Sequence, residues 1–181
     1  MGGVAKGLLR APDSKTTLLE RLCGEVRAAL PSAEIVLVGA AEAYAALGLR
    51  AIADEPANVG PIGGLAGFLA YAAQSGAGWG LALACDLPRL ERGLIARLAS
   101  EETQVAALVV QQENVKNPLV ARYEVPSALA ATRRALSGGQ RALQAVLDEL
   151  QPRVLALELS ASELLSVRDW DTPDDVARDR H

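Results

Sequence analysis

Gly80-Leu81-Ala82-Leu83-Ala84-Cys85-Asp86-Leu87-Pro88 is the stretch that decides how this chain is to be read. Apolar residues lead without a polar break into one carboxylate, and a proline soon stops the run. An unbroken apolar run bounded by Gly and Pro predicts a strand buried on both faces, as in parallel sheets. Asp86 then falls at the carboxyl end of that strand, where open α/β sheets hold their ligands. The plainer alternative is that Asp86 caps the following helix or starts a turn.

Working outward, the neighbouring segments alternate in period. Upstream, Leu18, Leu19, Leu22, Val26, Ala29 and Leu30 recur at helical spacing from Thr17 until Pro31-Ser32. Ile35 to Val38 predicts a short strand closed by Gly39, Ala41 to Leu47 a helix ended by Gly48, and Arg50 to Ala53 a weaker strand delivering Asp54. Asn58 to Gly64 predicts a loop, with a helix from about Leu65 to Gln74. Downstream come a helix over Glu91 to Ala99, a Val-rich strand over Val105 to Val110 and a strand over Leu119 to Tyr123. Two helices follow, Pro126 to Leu136 and Gln140 to Leu150, and then a strand over Val154 to Leu159. A last short strand from Val167 ends near Asp171, where Asp171 or Thr172 caps a closing helix with Pro173 in its first position. Strands alternating with helices predict an α/β fold: one three-layer, Rossmann-like domain over residues 1–181 with a mostly parallel sheet.

Composition narrows the function classes. The chain has 181 residues, 50% hydrophobic, 22% charged and only 3% aromatic, so its core must be built from Ala, Leu and Val. A formal charge of −4 and the lack of a basic run argue against a nucleic-acid partner. Cys23 and Cys85 form no CxxC pair and His181 is the only histidine, which argues against a zinc site and excludes a Ser/His/Asp triad. No run reaches the ~18 apolar residues of a membrane span, so a cytoplasmic location with no membrane partner is expected.

The residues left to carry chemistry are few. Asp54, Asp86 and Asp171 each end, or nearly end, a predicted strand, and strand ends at one sheet edge converge in space. Converging carboxylates without histidine suit a hard cation such as Mg²⁺, which takes one or two carboxylates and fills its shell with phosphate oxygens. Lys6 sits in Gly2-Gly3-Val4-Ala5-Lys6-Gly7, where glycines allow backbone N–H groups close to phosphate and the lysine adds a point charge. The segment is not a Walker A sequence, and a Gly-rich tail is its plain alternative. Gly60-Pro61-Ile62-Gly63-Gly64 leaves room for a base or sugar against the backbone at a helix start, or is a βα loop that needs special backbone angles.

In order, these segments resemble the molybdenum cofactor guanylyltransferases of the MobA-like nucleotidyltransferase family. Met1-Gly2-Gly3-Val4-Ala5-Lys6-Gly7-Leu8-Leu9 is similar to the latter part of the family's opening L-A-G-G-x-S-x-R-M-G and following lysine. Asp54 with Gly60-Pro61-Ile62-Gly63-Gly64-Leu65 resembles its D…G-P-L-A-G-L segment, and Ala84-Cys85-Asp86-Leu87-Pro88 its x-C-D-x-P. Asn117-Pro118-Leu119 and Asp171-Thr172-Pro173-Asp174-Asp175 resemble two later motifs. The resemblance implies an Mg²⁺-dependent enzyme that transfers GMP from GTP to the phosphate of molybdopterin and releases pyrophosphate. It implies Lys6 and Asp86 as catalytic residues, and Asp86 (with Asp171 as a further candidate) as metal ligand. Gly2, Gly3, Lys6, Asp54, Gly64 and Asp86 would bind the nucleotide.

Three departures stand beside it. The family's first strand and L-A-G-G-x-S-x-R loop have no counterpart after Met1, so the fold is expected to lack its first strand. Each buried backbone group so orphaned would cost ~1–3 kcal/mol, and the reading frame is therefore expected to continue upstream through a strand and its loop. Ala5 stands where the family often has an acid, and no asparagine follows Val38. A cytidylyltransferase or a sugar-phosphate nucleotidyltransferase of the same fold, and a non-catalytic remnant, are therefore the alternatives.

Overall fold

A computed structural model describes residues 5–12, 14–39, 41–170 and 175–176. The chain divides into two compact units, one from Met1–Ile35, Ala84–Ser100 and Leu159–His181, the other from Val36–Leu83 and Glu101–Glu158.

The second unit holds the sheets. Strands β1 (Val36–Val38) and β2 (Arg50–Ile52) pair in parallel, joined through a 3₁₀ helix at Ala41–Leu47, where a helix was expected. Four further strands, β3 (Trp79–Leu83), β4 (Ala107–Gln112), β5 (Val115–Glu124) and β6 (Val154–Leu157), form a second sheet in the order β3-β5-β4-β6. Its β4–β6 pair is parallel, but β5 runs antiparallel to both β3 and β4. The expectation of a mostly parallel sheet is therefore corrected to a mixed one. The cause is local: Glu113 (φ 46°) and Asn114 (φ 66°) both take positive φ between β4 and β5. That is the geometry of a two-residue hairpin turn, which returns the chain antiparallel.

Helix α1 (Leu18–Ala29) belongs to the first unit; the second is covered by α2 (Pro61–Gln74), α4 (Val125–Ser137) and α5 (Gln144–Glu149). Helix α2 starts at Pro61 rather than Leu65, because Pro is suited to the first helical position. It packs on β1, β2, β3 and α4. Gly67 is required here: a Cβ at that position would lie 2.2 Å from the Ala53 carbonyl oxygen. Ile62, Leu69, Val109, Tyr123, Ala128 and Ala131 are wholly buried in this unit's core. Within it the Tyr123 hydroxyl donates to the Pro118 carbonyl at 2.8 Å, and burial pushes its pKa up.

Not every apolar strand is central. Residues 81–84 are only half-buried, unlike Ala107–Val110. Among the described residues β3 pairs only with β5 and β1 only with β2, and β1 and β3 are not bonded to each other. The sequence run 80–84 thus forms an edge rather than a strand covered on both faces.

The first unit is helical. A Thr17–Glu20 capping box starts α1, whose Leu18, Leu19, Leu22 and Cys23 are buried. It packs against α3 (Arg92–Ser100), which buries Leu94, Ile95 and Leu98. The Arg21 guanidinium donates to the Leu90 carbonyl at 2.7 Å, and the Arg92 N–H donates to the Glu25 carboxylate at 2.8 Å. Helix α6 (Ala161–Ser166) has its own capping box, Ser160 with Glu163, and was not foreseen. Arg97 on α3 reaches both Glu163 carboxylate oxygens, at 2.6 and 2.7 Å. Among the described residues the expected strand from Val167 does not form; residues 168–170 are irregular, and Trp170 packs with Ala11, Leu18, Leu9 and Val176.

Candidate active site

Two clusters gather the residues singled out in the sequence. The first lies in the helical unit. Lys6 opens a short 3₁₀ turn at Lys6–Leu8, and Asp86 stands in the turn just beyond β3. The Lys6 Nζ donates to Asp86 Oδ2 at 3.0 Å, joining positions 80 apart in sequence. Both side chains are partly buried, 30% and 21% exposed, so the pair is screened less than one on the open surface.

The turn itself is held from below. Leu87 is 3% exposed and Leu90 wholly buried. The Trp170 N–H donates to the Asp86 carbonyl at 3.0 Å. Trp170 is only 2% exposed, so this hydrogen bond ties the Asp86 backbone to the unit's core. Sequence reasoning did not assign Trp170 this part. Its one signal was adjacency to the Asp171-Thr172-Pro173 motif.

The second cluster lies in the sheet-bearing unit. Asp54 follows β2, Gly39 follows β1, and Gly64 lies in the opening turns of α2. A Cβ on Gly64 would come 3.3 Å from Asp54 Oδ1 and 3.2 Å from Val38 Cγ1; one on Gly39 would come 3.8 Å from the same carboxylate oxygen. The Asp54 carboxylate is therefore seated between two glycines, and any larger residue at 64 would press on it. Gly39 (φ 93°) and Gly60 (φ 82°) both sit in the left-handed region that favours glycine. Gly60 is the N-cap of α2 and supplies no side-chain oxygen. Gly60 thus offers no side chain of its own to the positive end of the helix, which starts near the Asp54 carboxylate. Nearby, the Glu55 N–H donates to the Gly63 carbonyl at 2.9 Å, fixing the loop to the helix.

The structure thus brings Lys6 to Asp86 and Asp54 to Gly64. Gly2, Gly3 and Asp171 lie outside the described residues. Gly39 and the close approach at Gly67 were not foreseen as constraints. The signal for Gly39 was its place at the end of a strand, which alone did not separate a site from a turn.

Among the described residues no three His, Cys, Asp or Glu side chains cluster to hold a metal ion. Zinc and calcium cages need such a set, whereas Mg²⁺ takes one or two carboxylates plus water and substrate phosphate. The donor set at Asp86 fits Mg²⁺ on those terms. No helix of the structure is long and apolar enough to cross a membrane.

The chain matches the MobA-like NTP transferase domain over residues 1–154. It is 31% identical over 171 residues to a Chloroflexus aggregans protein named "Probable molybdenum cofactor guanylyltransferase", covering 91% of this chain and 76% of that one. A protein of the same name from Opitutus terrae is 28% identical over 166 residues, with 91% and 82% covered. Among solved structures, the molybdopterin-guanine dinucleotide biosynthesis protein A of Archaeoglobus fulgidus superposes with a TM-score of 0.75 at 24% identity, covering 98% of this chain and 90% of that one. The 2-C-methyl-D-erythritol 4-phosphate cytidylyltransferase of Thermus thermophilus gives 0.67 at 19% identity, with 97% and 92% covered. Both structures share the fold, a mixed α/β nucleotidyltransferase-like architecture.

Proposed function

From the premise that this chain belongs to the MobA-like NTP transferase domain family, we propose that it transfers GMP from GTP to the phosphate of molybdopterin in molybdenum cofactor synthesis. The relatives named as molybdenum cofactor guanylyltransferases support the substrates. The observation that carries the chemistry is the Lys6–Asp86 pair at 3.0 Å.

In this reaction an oxygen of the molybdopterin phosphate attacks the α-phosphorus of GTP. The bond from that phosphorus to the bridging oxygen breaks, and pyrophosphate leaves. Both reactants are anions, so catalysis is mainly positioning and charge neutralisation. Lys6 offsets charge on the triphosphate and on the departing pyrophosphate. Asp86 would hold Mg²⁺, with Asp171 a further candidate ligand, and the ion would supply positive charge against the charge that develops on the phosphates. Asp54 orients the nucleotide, with Gly64, Gly2 and Gly3 letting it approach the backbone. The reaction belongs in the cytoplasm, where its nucleotide is.

Pyrophosphate release from GTP with Mg²⁺ and molybdopterin is the direct test. Asp86→Asn should lower kcat by about a hundredfold or more, in the range found when one electrostatic group of a site is removed, with an unchanged circular dichroism spectrum. Undiminished turnover would take Asp86 out of the mechanism. Replacing GTP by CTP in the same assay separates the guanylyl from the cytidylyl reaction. No heat on calorimetric titration of a folded sample with GTP and Mg²⁺ would favour a non-catalytic chain.

A further inference from the structure

We infer that Asn117 is a specificity residue for the acceptor: its carboxamide N–H groups donate to an oxygen of the molecule that receives the nucleotidyl group. The inference rests on the reaction proposed above and names a contact to its second substrate.

Strand β5 lies between β3 and β4. Its pairing with β4 breaks register between Val109, which faces Ala121, and Val110, which faces Asn117. Pro118, Leu119 and Val120 therefore bulge out of the β4 ladder, and of these Val120 pairs with Leu83, the last residue of β3. A proline has no N–H to give a ladder, so in a central strand it is confined to a bulge. This one is fixed from the core. The hydroxyl of Tyr123, itself wholly buried, donates to the Pro118 carbonyl at 2.8 Å. A bulge held in this way bends the strand and re-aims the side chains at its root.

Asn117 is at that root. Its Oδ1 accepts from the Leu119 N–H at 2.9 Å, a local turn bond in place of a ladder bond. Only the amide oxygen can accept, so this bond sets the orientation of the carboxamide and leaves Nδ2, with two donors, for other partners. Among the described residues Nδ2 has none. The residue is half-buried, so the donors are open to a ligand without lying on the open surface. Leu83 marks the carboxyl end of β3, and Asn117 lies past it along β5, at the kind of edge where open α/β sheets hold ligands. Asp54 and Gly39 follow strands of the other sheet. The nucleotide contacts proposed for this unit thus leave the Asn117 end of the four-stranded sheet to the second substrate.

Asn117→Asp and Asn117→Ser separate a ligand contact from a turn. Either side-chain oxygen can still accept from the Leu119 N–H, so the turn survives. The carboxylate, however, has no donor, and the serine hydroxyl is too short to reach a ligand from the same place. Molybdopterin binding to the full chain is measured by equilibrium dialysis, and GTP binding with Mg²⁺ by calorimetry. Both variants should bind molybdopterin about fivefold or more weakly, the effect of losing one hydrogen bond, with GTP affinity unchanged. Unchanged molybdopterin affinity in both would overturn the inference. So would equal losses for GTP and molybdopterin, which would mean that the bulge only shapes the sheet. A loss confined to the aspartate variant would be charge repulsion at a distance, and would overturn it too. The serine variant carries the reading alone if the aspartate variant does not fold. Wild-type protein that takes up GTP but no molybdopterin would sink the proposed function itself, whereas binding of both that is indifferent to Asn117 would sink this inference alone.

Discussion

Gly67 and Gly24 carry the same residue type on helices, yet the space around them predicts opposite outcomes for one methyl group. A Cβ at Gly67 would meet the Ala53 carbonyl oxygen at 2.2 Å, whereas a Cβ at Gly24 meets nothing within 4 Å. Alanine gains about 1 kcal/mol over glycine inside a helix. Forcing α2 away from a backbone atom costs about 1–3 kcal/mol or more. Gly24→Ala should therefore raise the urea midpoint and Gly67→Ala should lower it, by a net loss of about 2 kcal/mol or more where the clash cost is at its upper end. At this scale the sequence was informative about which residues matter and silent about where they meet. Asp86 stood out because one carboxylate ended an apolar run. Its pairing with Lys6, 80 positions away, has no local signature and was not foreseen. Nor does composition reveal that the Asp54 carboxylate is seated between Gly39 and Gly64, since only the folded backbone brings the ends of β1 and β2 to the start of α2.

The elements were legible in proportion to how local their causes are. Helix α1 follows from its apolar spacing and its capping box, and it was expected within a residue or so of where it lies. Helix α2 was expected four residues late because Gly63 and Gly64 look like loop, although Pro61 is a good first residue. The direction of β5 was missed because its hairpin turn is Glu113-Asn114 rather than a Gly-containing pair. Helix α6 was missed despite the Ser160-Ala161-Ser162-Glu163 box, a signal available from the residues alone. That box also sets a pH dependence. Partial burial pushes the Glu163 carboxyl up, but hydrogen bonds from the Ser160 N–H and from Arg97 outweigh it and hold the group below its ordinary value. A depressed carboxylate contributes stability that is full above its unfolded value, ~4.3, and is lost as pH falls through the lower folded one. Thermal unfolding should show wild type ahead of Glu163→Gln above about pH 5, with the difference shrinking below about pH 4.3. A difference independent of pH would mean that the carboxylate's charge is not what holds α6.

For the whole molecule, the two compact units are interleaved along the chain, three segments against two. Neither can be cut out as a continuous piece, so each closes loops that run through the other. On that ground we propose that residues 1–181 fold as a single cooperative domain, as the sequence led us to expect. The two tryptophans report one unit each: Trp170, 2% exposed, belongs to the helical unit, and Trp79, 44% exposed, lies 4.7 Å from the Arg122 guanidinium in the other. In Trp79→Phe and Trp170→Phe, the fluorescence midpoint in urea should coincide with that of far-ultraviolet circular dichroism, as two-state unfolding requires. Separated midpoints would mean two domains. The half-paired strands β1 and β3 carry a different consequence, for how this protein behaves in the tube. Among the described residues each is bonded on one side only, and a strand with an unpaired edge can template backbone pairing with another chain, here along Val, Leu and Ala. Sticking by that route is bimolecular and needs no unfolding beforehand. Loss of protein on storage should then rise with concentration and be slowed by dilution more than by cooling, which weakens burial rather than backbone pairing; a loss independent of concentration would mean that these edges are covered.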